Sequence, residues 1–138
     1  MKTGLMMFWG TLIPAMLITL FTASITLSQH GGKAEPLRIE FKRGTTSTTI
    51  NGAVRGSEEA EYVLAAKKGQ RLIIRLTSLP ARSSVFQILD PDHATLSLAQ
   101  GNYDLLGTLP KSGDYLITIR RPREVKGVSR YKITVSVR

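Results

Sequence analysis

The chain has 138 residues, which is enough for one domain behind an N-terminal segment, and it contains no cysteine. The lack of cysteine excludes both a disulfide-supported fold and a lipid-anchored lipoprotein. With 19 Lys and Arg residues against 10 Asp and Glu, the net charge of +9 favours acidic partners, although the same surplus also serves solubility alone.

The first predicted element is an apolar segment, Gly4–Leu27, which holds no charged side chain. It is long enough to cross a bilayer as a helix, and it lacks the single apolar face that a buried core helix would show. Lys2 in front of it, and small residues near its end, favour a cleaved signal peptide over residues 1–28. The alternative is an uncleaved anchor that spans the membrane with residues 4–27. In both cases we expect the rest of the chain to be exported.

Residues 29–36 form a polar linker, and beyond it apolar residues recur at every second position, as in half-buried β-strands. Turn residues such as Gly69 and Pro110 separate the segments. This pattern predicts an all-β domain over residues 37–138, an antiparallel β-sandwich or jelly roll of about eight strands. The predicted strands are Leu37–Lys42, Thr48–Val54, Glu59–Leu64, Arg71–Ser78, Val85–Leu89, Thr95–Ala99, Tyr103–Leu109, Tyr115–Arg120 and Arg130–Val137.

Groups that could perform catalysis are sparse. His30 lies in the linker and His93 in a polar turn, so neither is expected to hold a metal or to activate a nucleophile. Glu58, Glu59 and Glu61 are more typical of a salt-bridged strand edge than of a glycosidase pair. We therefore expect no enzymatic activity, no cofactor and no metal. Nucleic acid is not expected as a partner, because the chain offers neither a groove-binding helix nor an aromatic stacking surface.

The connection between the last two predicted strands is the most distinctive segment. It is longer than a tight hairpin requires, and long loops on rigid sandwiches often bind partners. Pro122 restricts its freedom, and guanidinium groups are suited to bidentate capture of carboxylates. Its five cations are Arg120, Arg121, Arg123, Lys126 and Arg130, with Glu124 as the only carboxylate.

Four sequence stretches carry a family resemblance: residues 41–78 (FKRGTTSTTINGAVRGSEEAEYVLAAKKGQRLIIRLTS), 101–102 (GN), 107–119 (GTLPKSGDYLITI) and 131–137 (YKITVSV). With them, the segment from Ile39 to Val137 resembles the periplasmic inhibitors of goose-type lysozyme. These inhibitors are in turn similar to the pre-peptidase C-terminal domains of secreted proteases. The resemblance implies a periplasmic β-sandwich that needs no cofactor and that binds a goose-type lysozyme.

The resemblance also implies a mode of binding, in which an Arg-bearing loop enters the lysozyme cleft. The candidate partner-binding residues are then Arg120, Arg121, Arg123 and Arg130, with Tyr62 lining the surface. A different class of function stays open. The basic domain could instead be an envelope-binding module for anionic glycan, lipopolysaccharide or peptidoglycan.

Overall fold

The computed structural model describes residues 35–96 and 103–138, and all regular structure in these ranges is β. The predicted leader and nearly all of the linker lie outside the described residues, as does most of the strand predicted over Thr95–Ala99. Within the described ranges no helix has the length and hydropathy of a membrane span. The strands are β1 (Leu37–Arg38), β2 (Ser47–Arg55), β3 (Glu59–Ala66), β4 (Arg71–Leu79), β5 (Val85–Leu89), β6 (Asp104–Thr108), β7 (Gly113–Arg120) and β8 (Val128–Val137).

These strands form two four-stranded sheets. Sheet A has the order β1-β3-β7-β5 and sheet B has the order β2-β8-β4-β6. The strand pairs are antiparallel, except that β1 runs parallel to β3. Consecutive strands alternate between the two sheets, so each connection passes from one sheet to the other. The predicted all-β class is confirmed, and the arrangement is consistent with a β-sandwich.

The core consists of the inward-facing residues of both sheets. Alternation places every second side chain inside, so the last strand buries Tyr131, Ile133, Val135 and Val137 as predicted. Each fully buried Leu or Ile contributes about 1.5–3 kcal/mol relative to leaving it exposed. In the described ranges, 20 buried hydrophobic residues form a single cluster within the compact unit Lys33–Arg138, so this unit has a core of its own.

Most of the predicted strands differ from the observed ones by one or two residues at a bound, and the first differs most. It covers only Leu37–Arg38 and does not continue to Lys42, because only these two residues pair with β3. The last strand begins at Val128, two residues earlier than predicted. Arg130, which the sequence places both at the end of the loop and at the start of the strand, therefore lies within the strand.

A buried pair of tyrosines joins the two sheets. Tyr62 in β3 and Tyr131 in β8 share a hydrogen bond of 2.6 Å between their hydroxyl oxygens. Tyr131 lies over Gly52, its partner residue in β2, where a Cβ atom would overlap the tyrosine ring. Burial, reinforced by the bond to Tyr62, raises the pKa of the Tyr131 phenol. Only 5% of Tyr62 is exposed, so the expectation that it lines the binding surface is corrected: its position on the apolar face of β3 turns it inward.

Candidate functional site

Three connections meet at one end of the sandwich. Arg120, the last residue of β7, lies opposite both Glu59, the first of β3, and Val85, the first of β5. In sheet B, Val128 at the start of β8 lies opposite Arg55 at the end of β2. This end, which we call the loop end, therefore carries the β2–β3 turn (56–58), the β4–β5 connection (80–84) and the β7–β8 loop (121–127).

The β7–β8 loop joins strands of different sheets, as the other connections do, but with residues 121–127 it is longer than the β2–β3 turn (56–58) at the same end. Inside it, the Val125 amide donates a hydrogen bond of 3.1 Å to the Pro122 carbonyl, which forms a turn. Gly127 has a φ of +81°, a conformation that favours glycine, just before β8 begins. Nη1 of Arg121 donates a bond of 2.7 Å to the Gly127 carbonyl, so this side chain closes the neck of the loop.

The three arginines at the beginning of this loop have different surroundings. Arg121 is half-buried, and its Nε is buried with no hydrogen-bond partner in the described part of the chain. Arg120 and Arg123 are exposed. Arg121 therefore braces the loop, whereas Arg120 and Arg123 are displayed to solvent. Of the two exposed arginines, Arg123 lies within the loop and Arg120 at the end of β7.

A cleft of about 640 Å³ runs along the base of the loop. Its charged lining is balanced, since three guanidinium groups face three carboxylates. The Arg55 amide donates to Oε2 of Glu58 at 3.1 Å, so this carboxylate already stabilises the β2–β3 turn. The charged lining residues are Arg120, Arg121, Arg123, Glu58, Glu59 and Glu124.

A buried cluster of serines lies next to the β7–β8 loop and joins the elements beside it. The hydroxyl oxygens of Ser83 and Ser84 each lie 2.5 Å from Oγ of Ser129, the second residue of β8. The Ser83 and Ser84 amides donate to Oγ of Ser78, at 2.9 and 3.2 Å. The cluster ties the β4–β5 connection to the strand that follows the loop. Sequence reasoning missed it, because nothing local shows that serines 45 and 46 residues apart will meet.

Arg82 is a further cation in the β4–β5 connection that sequence reasoning missed. It has a φ of +58°, unusual for a residue with a side chain, and its guanidinium lies 5.8 Å from the centre of the Tyr103 ring. The sequence did indicate a cation in a connection here, since Arg82 follows Pro80 between two strands of alternating hydrophobicity.

The polar turn after β5 is an ion-paired turn. Oδ1 of Asp90 accepts hydrogen bonds from the amides of Asp92 and Ala94, at 2.9 and 3.0 Å. Nζ of Lys111 donates to Oδ2 of Asp90 at 2.8 Å and to Asp92 at 2.5 Å. The bond to Lys111 is the main reason that the pKa of Asp90 lies below its ordinary value of 3.8. Among the described residues no cluster of three or more His, Asp or Glu is arranged to hold a metal.

The structure thus brings together only some of the predicted site residues. Arg120, Arg121 and Arg123 line one cleft at the loop end. Arg130 lies on the outer face of sheet B, between its ladder partners on β2 and β4, and contributes to a different surface. Tyr62 lies in the core.

Among proteins of known activity, the chain is similar to the inhibitor of g-type lysozyme from Escherichia coli (strain K12). The two are 28% identical over 89 residues, which is 63% of this chain and 67% of that protein. The predicted resemblance is confirmed. No protein-family model matches the sequence.

Two solved structures show the same fold. The crystal structure of Aeromonas hydrophila PliG, a periplasmic lysozyme inhibitor of g-type lysozyme, is similar with a TM-score of 0.67 and 23% identity, over 75% of this chain and 96% of that one. The pre-peptidase C-terminal domain of a Bacillus anthracis collagenase is similar with a TM-score of 0.54 and 18% identity, over 75% of this chain and 95% of that domain.

Proposed function

We propose that this domain is a periplasmic inhibitor of goose-type lysozyme, a protein that acts by binding and not by catalysis. The observation that carries the proposal is the 28% identity over 89 residues to the E. coli inhibitor of g-type lysozyme. The fold supports it, since the alignment covers 96% of the Aeromonas inhibitor. The partner is then a goose-type lysozyme, and no cofactor takes part.

The β7–β8 loop is the element that enters the lysozyme cleft in this proposal. A lysozyme cleft contains a catalytic carboxylate, and a guanidinium binds a carboxylate through two parallel charge-assisted hydrogen bonds. Arg123 supplies this group from within the loop, and Arg120 lies at its base. Because Arg121 and the Ser83–Ser84–Ser129 cluster already hold the loop and its neighbours, little conformational entropy is lost on docking.

The test is inhibition of cell-wall lysis by the compact unit, residues 33–138. At an equimolar ratio it should abolish lysis by a goose-type lysozyme and leave a chicken-type lysozyme active. A variant in which residues 122–126 are replaced by two glycines should stay folded and lose the inhibition. Absence of inhibition of any lysozyme at micromolar concentration would overturn the proposal.

The same experiment addresses the envelope-binding alternative. A domain that coats anionic wall polymers would sediment with the walls and would slow every lysozyme equally. Its effect would also disappear as salt rises, because exposed charges are screened beyond about 8 Å at physiological ionic strength. An inhibitor instead remains in solution with the lysozyme and forms a complex that survives moderate salt.

A further inference from the structure

The outer face of sheet B is strongly basic. Only one acidic residue of its strands, Asp104, points to this side. The outer face of sheet A differs, since Glu59, Glu61 and Asp114 accompany Arg38 and Arg120 there. The basic residues on sheet B are six: Arg55, Arg71, Arg75, Arg130 and Lys132 in the strands, and Arg138 directly after β8.

These cations are arranged unfavourably for the isolated domain. Arg71 and Arg138 lie opposite one another, joined by backbone hydrogen bonds of 2.8 and 3.0 Å, and like charges in opposed positions destabilise a sheet. Arg75 lies opposite Asp104 on β6 and is a diagonal neighbour of Lys132 on β8, and no ion pair within the described ranges engages Arg75 or Lys132. A surplus kept only for solubility would not need to be concentrated on one face. An external anion would remove the repulsion.

Large apolar side chains project from the same face. Leu79 is 73% exposed and lies opposite Arg130, and Leu106 is 57% exposed and lies opposite Ile73. In β4 and β6 these positions alternate with buried residues, so the leucines point away from the core. Cations interspersed with exposed leucines are the composition of surfaces that lie in a membrane interface.

We propose that the outer face of sheet B docks onto a bilayer that contains anionic phospholipid. The face is a sheet surface, with strands about 4.8 Å apart and same-side residues about 7 Å apart along each strand, so that several cations can meet lipid phosphates at once. The leucines then contact the acyl boundary between headgroups. A soluble polyanion would explain the arginines but not Leu79 and Leu106. This inference does not rest on the lysozyme proposal, because the face is separate from the loop end.

Sedimentation with lipid vesicles tests the proposal with residues 33–138. The unit should bind vesicles containing about one third phosphatidylglycerol and should not bind pure phosphatidylcholine. The triple variant Arg71→Gln/Arg75→Gln/Lys132→Gln should lower the partition coefficient about a hundredfold, because each basic residue near an anionic membrane strengthens binding about fivefold. The matched control Lys42→Gln/Lys67→Gln/Lys68→Gln has the same net charge and should bind within about threefold of the parent.

A second variant tests the role of the leucines. Leu79→Ser/Leu106→Ser should weaken vesicle binding at least severalfold while leaving binding to polyphosphate unchanged. Equal losses in the two glutamine triples would show that net charge, and not this face, drives vesicle binding. Vesicle binding indifferent to the serines would favour a soluble polyanion, and either result would overturn the proposal. Thermal unfolding confirms that each variant is folded. The first triple should still inhibit lysozyme, so failure here and failure of the proposed function are distinguishable.

Discussion

Replacing Arg123 with alanine separates docking from folding. Arg123 is exposed, and no hydrogen bond or ion pair in the described part of the chain engages it, so the free energy of unfolding should change by less than about 0.5 kcal/mol. If Arg123 is the residue that anchors the loop in the lysozyme cleft, its truncation removes about 2–4 kcal/mol of binding free energy. The dissociation constant should therefore rise by a factor between about 30 and several hundred.

Arg121 should respond differently to truncation, because the change affects the free energy of unfolding in two opposing ways. Truncation to alanine removes its bond to the Gly127 carbonyl, worth about 1.5–3 kcal/mol for a charged donor. It also removes a buried Nε that has no partner among the described residues, a penalty of about 1–3 kcal/mol. The net change in unfolding free energy should therefore stay within about 1 kcal/mol. Inhibition should still weaken, by about tenfold, because the unbraced loop loses more entropy on docking.

Three measurements distinguish these roles. Titration calorimetry against a goose-type lysozyme gives affinity, urea denaturation gives stability, and amide hydrogen exchange at Val125 reports loop order. Arg121→Ala should speed that exchange and Arg123→Ala should not. Lys126→Ala, the loss of another exposed cation in the same loop, is the matched control and should change affinity by less than about threefold. The reasoning is refuted if Arg123→Ala inhibits like the parent protein, or if it lowers stability by more than about 1 kcal/mol.

Three further changes test the core and the polar turn. Tyr131→Phe leaves the Tyr62 hydroxyl without its partner and should destabilise the fold by about 1–3 kcal/mol in urea denaturation. In the double variant that also carries Tyr62→Phe, the further loss of stability should be smaller, because the shared bond is already gone. Additive losses would contradict a shared bond. Gly52→Ala should destabilise the fold by about 1–3 kcal/mol, because the new Cβ would overlap the Tyr131 ring, whose Cε1 would lie only 2.9 Å away. Unchanged stability would show that the ring moves freely. Asp90→Asn should lower the thermal midpoint at pH 7. Since the pKa of Asp90 is depressed in the folded state by Lys111, its contribution is complete above the ordinary value of 3.8 and is lost as pH falls through the folded pKa, so the parent and variant midpoints should converge in acid; a gap that persists there would refute the ion-pair explanation.

The strands were predictable where alternation is strict, but their distribution between sheets was not. Val85–Leu89 has the bounds that the sequence predicts, because its apolar run is bordered by turn residues on both sides. Nothing in the period-two pattern indicates that β7 and β8 belong to different sheets. That assignment depends on pairing with strands far away in the sequence. Connection length does not reveal the assignment either, since the short β2–β3 turn (56–58) joins the two sheets just as the longer β7–β8 loop does.

The candidate site was predictable as a segment and not residue by residue. The arginines of residues 120–123 look equivalent in sequence, and only the Gly127 carbonyl, six residues away, decides that Arg121 turns inward. Tyr62 shows the converse. The alternation of Ala60, Tyr62 and Leu64 already placed it on the apolar face, and the structure follows that pattern and not the surface position implied by the resemblance.

The geometry of the sheets makes the two proposed surfaces compatible. The β7–β8 loop extends along the strand direction from the end of the sandwich, whereas the basic face of sheet B points perpendicular to the strands. A domain lying with sheet B on a membrane would therefore hold the loop roughly parallel to the bilayer, open to a lysozyme approaching from the side. Arg130, like Arg55 opposite Val128, lies where the two surfaces come near, since it follows the loop by three residues and points outward from sheet B. If both proposals hold, Arg130→Gln weakens vesicle binding more than lysozyme inhibition, and bound vesicles leave the inhibition intact.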